Sequence, residues 1–101
     1  NPIKNIRAAS FYMAQLRRSW YSQRPEADRH SLAMASYNAG LGNIVAAQKE
    51  CAMARHWADI SQCLYEVTGD HSRETLHYVQ VIWKFYETSA NSCPKGVVND
   101  H

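Results

Sequence analysis

The sequence predicts an all-helical bundle of about five helices, and three observations predict it. Apolar residues recur at alternating steps of three and four along most of the 101 residues. No segment sustains two-residue alternation, and the prolines and glycines fall between the periodic stretches, not inside them. The length allows one domain, and no internal repeat is present.

Pro2 suits a helix start, and Ile6, Ala9, Met13, Leu16 and Trp20 then form one stripe about five turns long, with Arg7, Gln15, Arg17 and Arg18 mostly off it. The helix must end before Pro25, because a residue preceding proline resists helical geometry. Residues 23–29 are the first connection, and Asp28 can cap a second helix running to about Tyr37. That helix is short and rich in alanine and methionine, so close approach by neighbours is possible and it is expected at the centre of the bundle. Asn43 can cap a third helix over 44–54, with Ile44, Ala47 and Cys51 on one side. Trp57, Ile60 and Leu64 mark a fourth over 56–67, stopped by Gly69. The last helix, over 71–88 and capped by Asp70 or Ser72, carries a broad stripe of Leu76, Val79, Ile82, Trp83 and Tyr86. Residues 1–88 read as the domain and 89–101, with Pro94 and Gly96, as a loosely held tail.

Composition narrows the function classes. At 46% hydrophobic and 20% charged residues the chain is a globular one, not a disordered one. Net charge is only +2 and the basic residues are scattered apart from Arg17 and Arg18, so no nucleic-acid partner is expected. No apolar run is long enough to span a bilayer. Opening on NPIKN without methionine, the chain reads as a mature fragment or a piece of something longer, so the lack of a targeting signal says nothing of compartment. Cys51, Cys63 and Cys93 allow at most one internal disulfide, match no zinc spacing, and are read as buried free thiols. His71 and His77 lie off a common helix face and the other histidines are dispersed, so no metal and no cofactor are expected.

The stretch MASYNAGLGN, residues 34–43, is the candidate site. A run of small and apolar residues delivers Tyr37 and Asn38 to the point where Gly40 and Gly42 release the backbone. A phenol and an amide on a last turn can face a groove, although Asn38 and Gly40 can equally serve only to stop the helix. A second polar group lies in SRETLHYVQVI: Arg73, Glu74, Thr75 and Tyr78. Glu74 and Tyr78 are four apart and share a face, which suits either a groove or a solvated first turn with the carboxylate at the positive end of the helix dipole.

Three stretches taken together, NIRAASFYMAQL (5–16), ASYNAGLGNI (35–44) and RETLHYVQVI (73–82), resemble the soluble lytic transglycosylase (SLT) domain. That family shows an NI-x-AG-x-x-YL helix, an A-x-YNAG-x-G segment and an ET-x-x-YV helix in this order, and the resemblance covers residues 1–85. It implies a lysozyme-like helical fold in a periplasmic, cell-envelope or phage-associated protein. The activity implied is cleavage of the peptidoglycan strand between N-acetylmuramic acid (MurNAc) and N-acetylglucosamine (GlcNAc). One glutamic acid protonates the glycosidic oxygen, and the muramic 6-hydroxyl closes a 1,6-anhydro ring without water, outside the usual two-carboxylate scheme. Carried over by position, Tyr37, Asn38 and Tyr78 line the substrate site, with Gly40 and Glu74 supporting it.

Departures from the family pattern shape the expectation. The family's catalytic glutamate lies in an E-S motif upstream of the NI helix, followed by a GLMQ-like segment, and neither occurs here. None of Glu26, Glu50, Glu66, Glu74 and Glu87 has that context. Ala8 and Ala9 stand at the family's AG, and 54–69, with Cys63, replaces an often shorter loop. The expectation is the C-terminal part of a transglycosylase domain, partnered by an upstream segment or second chain that brings the acid, and inactive alone. The alternative is a non-catalytic wall-binding or structural module of a secretion, conjugation or phage apparatus.

Overall fold

A computed structural model describes the backbone of residues 2–92 and the side chains of residues 8–88. Among the described residues there are six helices and no strand: α1 Pro2–Ser19, α2 Glu26–Ala39, α3 Leu41–Glu50, α4 Trp57–Gln62, α5 Tyr65–Thr68 and α6 His71–Ser92. The all-helical class is as the periodicity predicts. The span 56–67 forms two short helices in place of one, and α6 runs to Ser92, past the expected end at 88. The rest of the expected tail lies outside the described residues.

The centre of the bundle is α2, which packs against α1, α3 and α6. Six consecutive residues, Ser31, Leu32, Ala33, Met34, Ala35 and Ser36, are buried, so this helix is enclosed on every side through more than a turn. Two hydroxyls in that run need partners in a dry interior, and indoles from both flanking helical segments supply them. Trp20 Nε1 donates to Ser36 Oγ at 3.0 Å, and Trp83 Nε1 donates to Ser31 Oγ at 2.8 Å. Around this latch the core is closed by Leu32, Ile44, Ala47, Ile60, Leu64 and Val79.

Two of the expected caps, Asp28 and Asn43, do other work. α2 begins at Glu26 behind Pro25, one turn earlier than a cap at Asp28 requires, because proline is pre-set for a helix start. Asp28 instead reaches the start of α4, where its Oδ1 accepts the Trp57 backbone N–H at 3.2 Å and its Oδ2 accepts His56 Nδ1 at 2.8 Å. It satisfies a helix start, but of a different helix. α3 begins at Leu41, so Asn43 lies inside its first turn and Nδ2 donates back to the Ala39 carbonyl at 2.8 Å.

The free thiols expected at Cys51 and Cys63 are instead a disulfide, their Cα atoms 5.8 Å apart. Sequence spacing does not decide such a pairing; the turn after α3 does. That helix stops at Glu50, short of the expected 54, because Ala52 and Met53 both take left-handed backbone angles, φ 54° and 58°. Met53 N–H bonds Gln48 O at 2.9 Å and Gln48 Nε2 donates to Ala54 O at 3.0 Å, closing the turn. The chain then doubles back, and the break between α4 and α5 falls at the bonded Cys63. Cys93 lies outside the described residues.

Candidate functional site

A single residue separates α2 from α3. Gly40 has φ 95° and ψ 137°, a region an L-residue enters only with strain, and its N–H bonds Ser36 O at 2.8 Å. This abrupt change of direction ends α2 at Ala39 and puts Tyr37 and Asn38 in the last turn, as the sequence predicts. Gly42 needs no such freedom: it lies inside α3, with open space where a Cβ would stand.

Three tyrosines from three helices meet here. The rings of Tyr12 on α1 and Tyr37 on α2 are 5.8 Å apart and tilted, while Tyr37 and Tyr78 on α6 lie nearly parallel at 6.5 Å. Tyr37 is 39% exposed and Tyr12 43%, so apolar ring surface faces solvent along a line. Tyr12 and Tyr37, with Ala8 and Ala9, wall a hollow of about 530 Å³ between α1 and α2. Tyr78 lines a neighbouring, tighter hollow of about 140 Å³ with Met34, Ile82 and Tyr86. Burial there raises the Tyr78 pKa, with Tyr37 and then Tyr86 adding to it, so its hydroxyl remains a donor across the physiological range.

Asn38 turns toward α6. Its Oδ1 accepts the hydroxyl of the fully buried Thr75 at 2.7 Å, and its Nδ2 has no partner among the described residues. A threonine carries one hydroxyl proton, so this short bond takes precedence over the 3.4 Å contact of the same oxygen with His71 O. The amide is thereby oriented, with its donors left over for a ligand. Replacing Thr75 with valine, which keeps the shape and removes the hydroxyl, is expected to cost about 1–2 kcal/mol, and serine much less. Urea unfolding of the two variants checks this; equal losses would mean that methyl packing, not the hydrogen bond, matters at this position.

Glu74 is exposed and pairs with His71 on the preceding turn, Oε2 to Nε2 at 3.0 Å. Of the adjacent Glu74 and Thr75, it is Thr75 that touches a residue of the site. Sequence reasoning named Thr75 without giving it a role and left Tyr12 out altogether. The signal for Tyr12 was available: it occupies the tyrosine position of the NI-x-AG-x-x-YL pattern, but it lies off the apolar stripe that defined α1.

No enclosed acid accompanies these groups among the described residues. Burial is what keeps a carboxyl protonated near neutrality, and Glu26, Glu50, Glu66, Glu74 and Glu87 are all exposed. No set of three or more His, Cys, Asp or Glu among the described residues could hold a metal ion, and no helix there is long and apolar enough to cross a membrane. The site as described can present flat rings and a fixed amide to a polar ligand with apolar faces, which is the chemistry that recognises sugars.

No curated protein and no solved structure matches the chain. A family model described as the transglycosylase SLT domain matches residues 1–60, taking in the stretches that carry Tyr12, Tyr37 and Asn38 and ending before the one that carries Thr75 and Tyr78. With more than half its length covered by that match, the chain belongs to the transglycosylase SLT domain family.

Proposed function

We propose that this chain is the groove-lining part of a peptidoglycan lytic transglycosylase domain, with the catalytic glutamic acid supplied by a segment outside these residues. The observation that carries the reading is the meeting of Tyr12, Tyr37 and Tyr78 beside the oriented Asn38, in a chain of this family. In the reaction the acid gives its proton to the glycosidic oxygen as the bond to the MurNAc anomeric carbon breaks. The same carboxylate then takes the proton of the 6-hydroxyl as that oxygen bonds the anomeric carbon, so the proton count closes without water. This chain's part is to hold the strand: tyrosine rings against sugar faces, and Asn38 Nδ2 toward an N-acetyl carbonyl. The Cys51–Cys63 disulfide supports a periplasmic, cell-envelope or phage-associated location, since such bonds persist in oxidising surroundings.

That every glutamate of the chain is exposed suits equally a second reading, a wall-binding module without turnover. Both readings expect the chain by itself to release no 1,6-anhydro muropeptides from purified sacculi, as read by mass spectrometry. Both also expect retention on sacculi, reduced about five- to tenfold by Asn38→Ala and by Tyr37→Ala, the loss of one or two good ligand contacts. Undiminished retention by both variants would remove the sugar-binding role. Joining the chain to the segment encoded upstream separates the readings, because only the enzyme gains anhydro-product release.

A further inference from the structure

Two half-buried tryptophans share a hollow on the far side of α6 from Tyr78. Trp57 opens α4 and Trp83 lies on α6, and with Val79, Gln80, Lys84 and Glu87 they line a space of about 480 Å³. Both indoles are fixed before any ligand arrives. Trp83 donates its ring N–H to Ser31 Oγ at 2.8 Å and meets the rings of His30 and Tyr86 edge-on, each at 6.3 Å. Trp57 is held through its backbone N–H, which bonds Asp28 Oδ1, and its side chain packs against the core. Helix geometry sets this hollow apart from the tyrosine groove. Glu87 is nine residues beyond Tyr78 on α6, about two and a half turns, so the two side chains leave opposite sides of the helix. Gln80, two residues past Tyr78, is likewise turned by about 200°.

What the lining leaves unpaired describes the ligand. Lys84 and Glu87, three apart on α6, are both exposed and make no ion pair among the described residues. Gln80 is exposed too, and neither its amide nor the Trp57 ring N–H, which is not sealed from solvent, has a partner among the described residues. The two charges cancel, so a ligand anionic throughout is opposed by Glu87 and one cationic throughout by Lys84. A wholly apolar ligand would strip water from an ammonium, a carboxylate and an amide without replacing its hydrogen bonds. A small zwitterion would satisfy both charges, yet gain little from exposed ion pairs and leave the indole faces uncovered. An uncharged ring with an apolar face and hydroxyls around its edge meets every group. Its face lies on an indole, and its hydroxyls donate to Glu87 and accept from Lys84, Gln80 and Trp57. That is the chemistry of a saccharide.

We infer that the hollow between Trp57 and Trp83 is a second saccharide-binding site, on the side of α6 opposite Tyr78, which takes an uncharged sugar unit of a glycan. The assignment rests on the lining of this hollow and not on the tyrosine groove; only its use rests on the glycan reading above. With one site on each side of α6, the domain engages two strands, and each contact raises the effective concentration of the other. The tryptophan site thus holds the domain to a many-stranded wall without taking part in cleavage.

Indole N–H signals in an NMR titration test this, because the chain has three tryptophans and the third, Trp20, is buried with its N–H bonded to Ser36. The probes are the uncharged tetrasaccharide of β-1,4-linked GlcNAc and, as a zwitterion, glycylglycine. The tetrasaccharide is expected to shift the Trp57 and Trp83 signals and the Gln80 side-chain amide but not Trp20, with a Kd of about 1 mM that does not change with salt. The Gln80→Ala, Lys84→Ala, Glu87→Ala triple variant, which removes three exposed groups, is expected to bind at this site about tenfold more weakly. Trp57→Leu, which keeps apolar volume but no flat face, should abolish the shift at Trp83, with an unchanged Trp20 signal reporting that the fold is kept. Shifts at Tyr37 and Asn38 should be the same in every variant. No tetrasaccharide shift at Trp57 or Trp83, undiminished binding by both variants, or glycylglycine binding as tightly as the tetrasaccharide would each overturn the assignment. Shifts at Trp57 and Trp83 with none at Tyr37 and Asn38 would support the tryptophan site and remove only the glycan reading of the groove.

Discussion

Replacing Trp20 with alanine is expected to destabilise the protein by about 4–5 kcal/mol, a large part of the roughly 5–15 kcal/mol that holds a domain of this size. Trp20 is 4% exposed and stands just past α1, where its N–H still bonds Leu16 O and Arg17 O at 3.3 and 3.2 Å. Three separate losses follow from removing it. The indole volume would be lost from the α1–α2 contact; the hydroxyl of Ser36, fully buried, would lose its donor; and Arg24 would lose the ring it lies over, while the backbone carbonyl that Arg29 bonds remains. Trp20→Phe separates the terms, keeping most of the ring but removing the N–H, with an expected cost of about 1–2 kcal/mol. Urea unfolding followed by circular dichroism gives both values. If alanine costs less than about 1 kcal/mol, the latch between α1 and α2 is not where stability resides.

Breaking the Cys51–Cys63 bond, by reductant or by a Cys51→Ser, Cys63→Ser double variant, is expected to lower stability by about 3 kcal/mol. The bond closes a loop with a sequence separation of 12 residues, and the entropy such a closure removes from the unfolded chain has that size. A local term partly offsets it: Ala52 and Met53, at φ 54° and 58°, occupy a region that costs L-residues roughly 1 kcal/mol each, and a turn freed of the bond can relax some of that cost. Calorimetry should therefore show Tm falling by roughly 10–20 °C, and amide exchange should rise first across residues 51–63. A change in Tm of only a few degrees, with exchange raised uniformly, would mean that the crosslink adds little to a turn already fixed by Gln48.

Tyr37 and Asn38 behave as the local sequence requires, because the device that places them is itself local. Gly40 is the one residue between two helices, and only glycine enters its backbone angles without strain. The stripes of α1 and α6 and the small-residue character of α2 are equally local signals, so the helical class and the central position of α2 follow from periodicity and side-chain size. Thr75 shows where that reasoning stops. Its hydroxyl is an unremarkable polar group in one turn of α6 until α2 is laid against it and Asn38 Oδ1 comes within 2.7 Å.

By itself, then, the sequence determined which segments become helices, where α2 must end, and that Tyr37 and Asn38 stand at that end, since each depends on neighbours a few residues away. Only the tertiary structure decided the contacts between distant residues. It paired Cys51 with Cys63, sent Asp28 to the start of α4, gave the two buried serines of α2 their indole donors, and laid Arg24 over the Trp20 ring with Arg29 and Arg55 near it. The reason is physical. A helix fixes side-chain direction every 3.6 residues from local geometry, whereas the partner of a buried hydroxyl, a thiol or a guanidinium depends on which helix packs beside it.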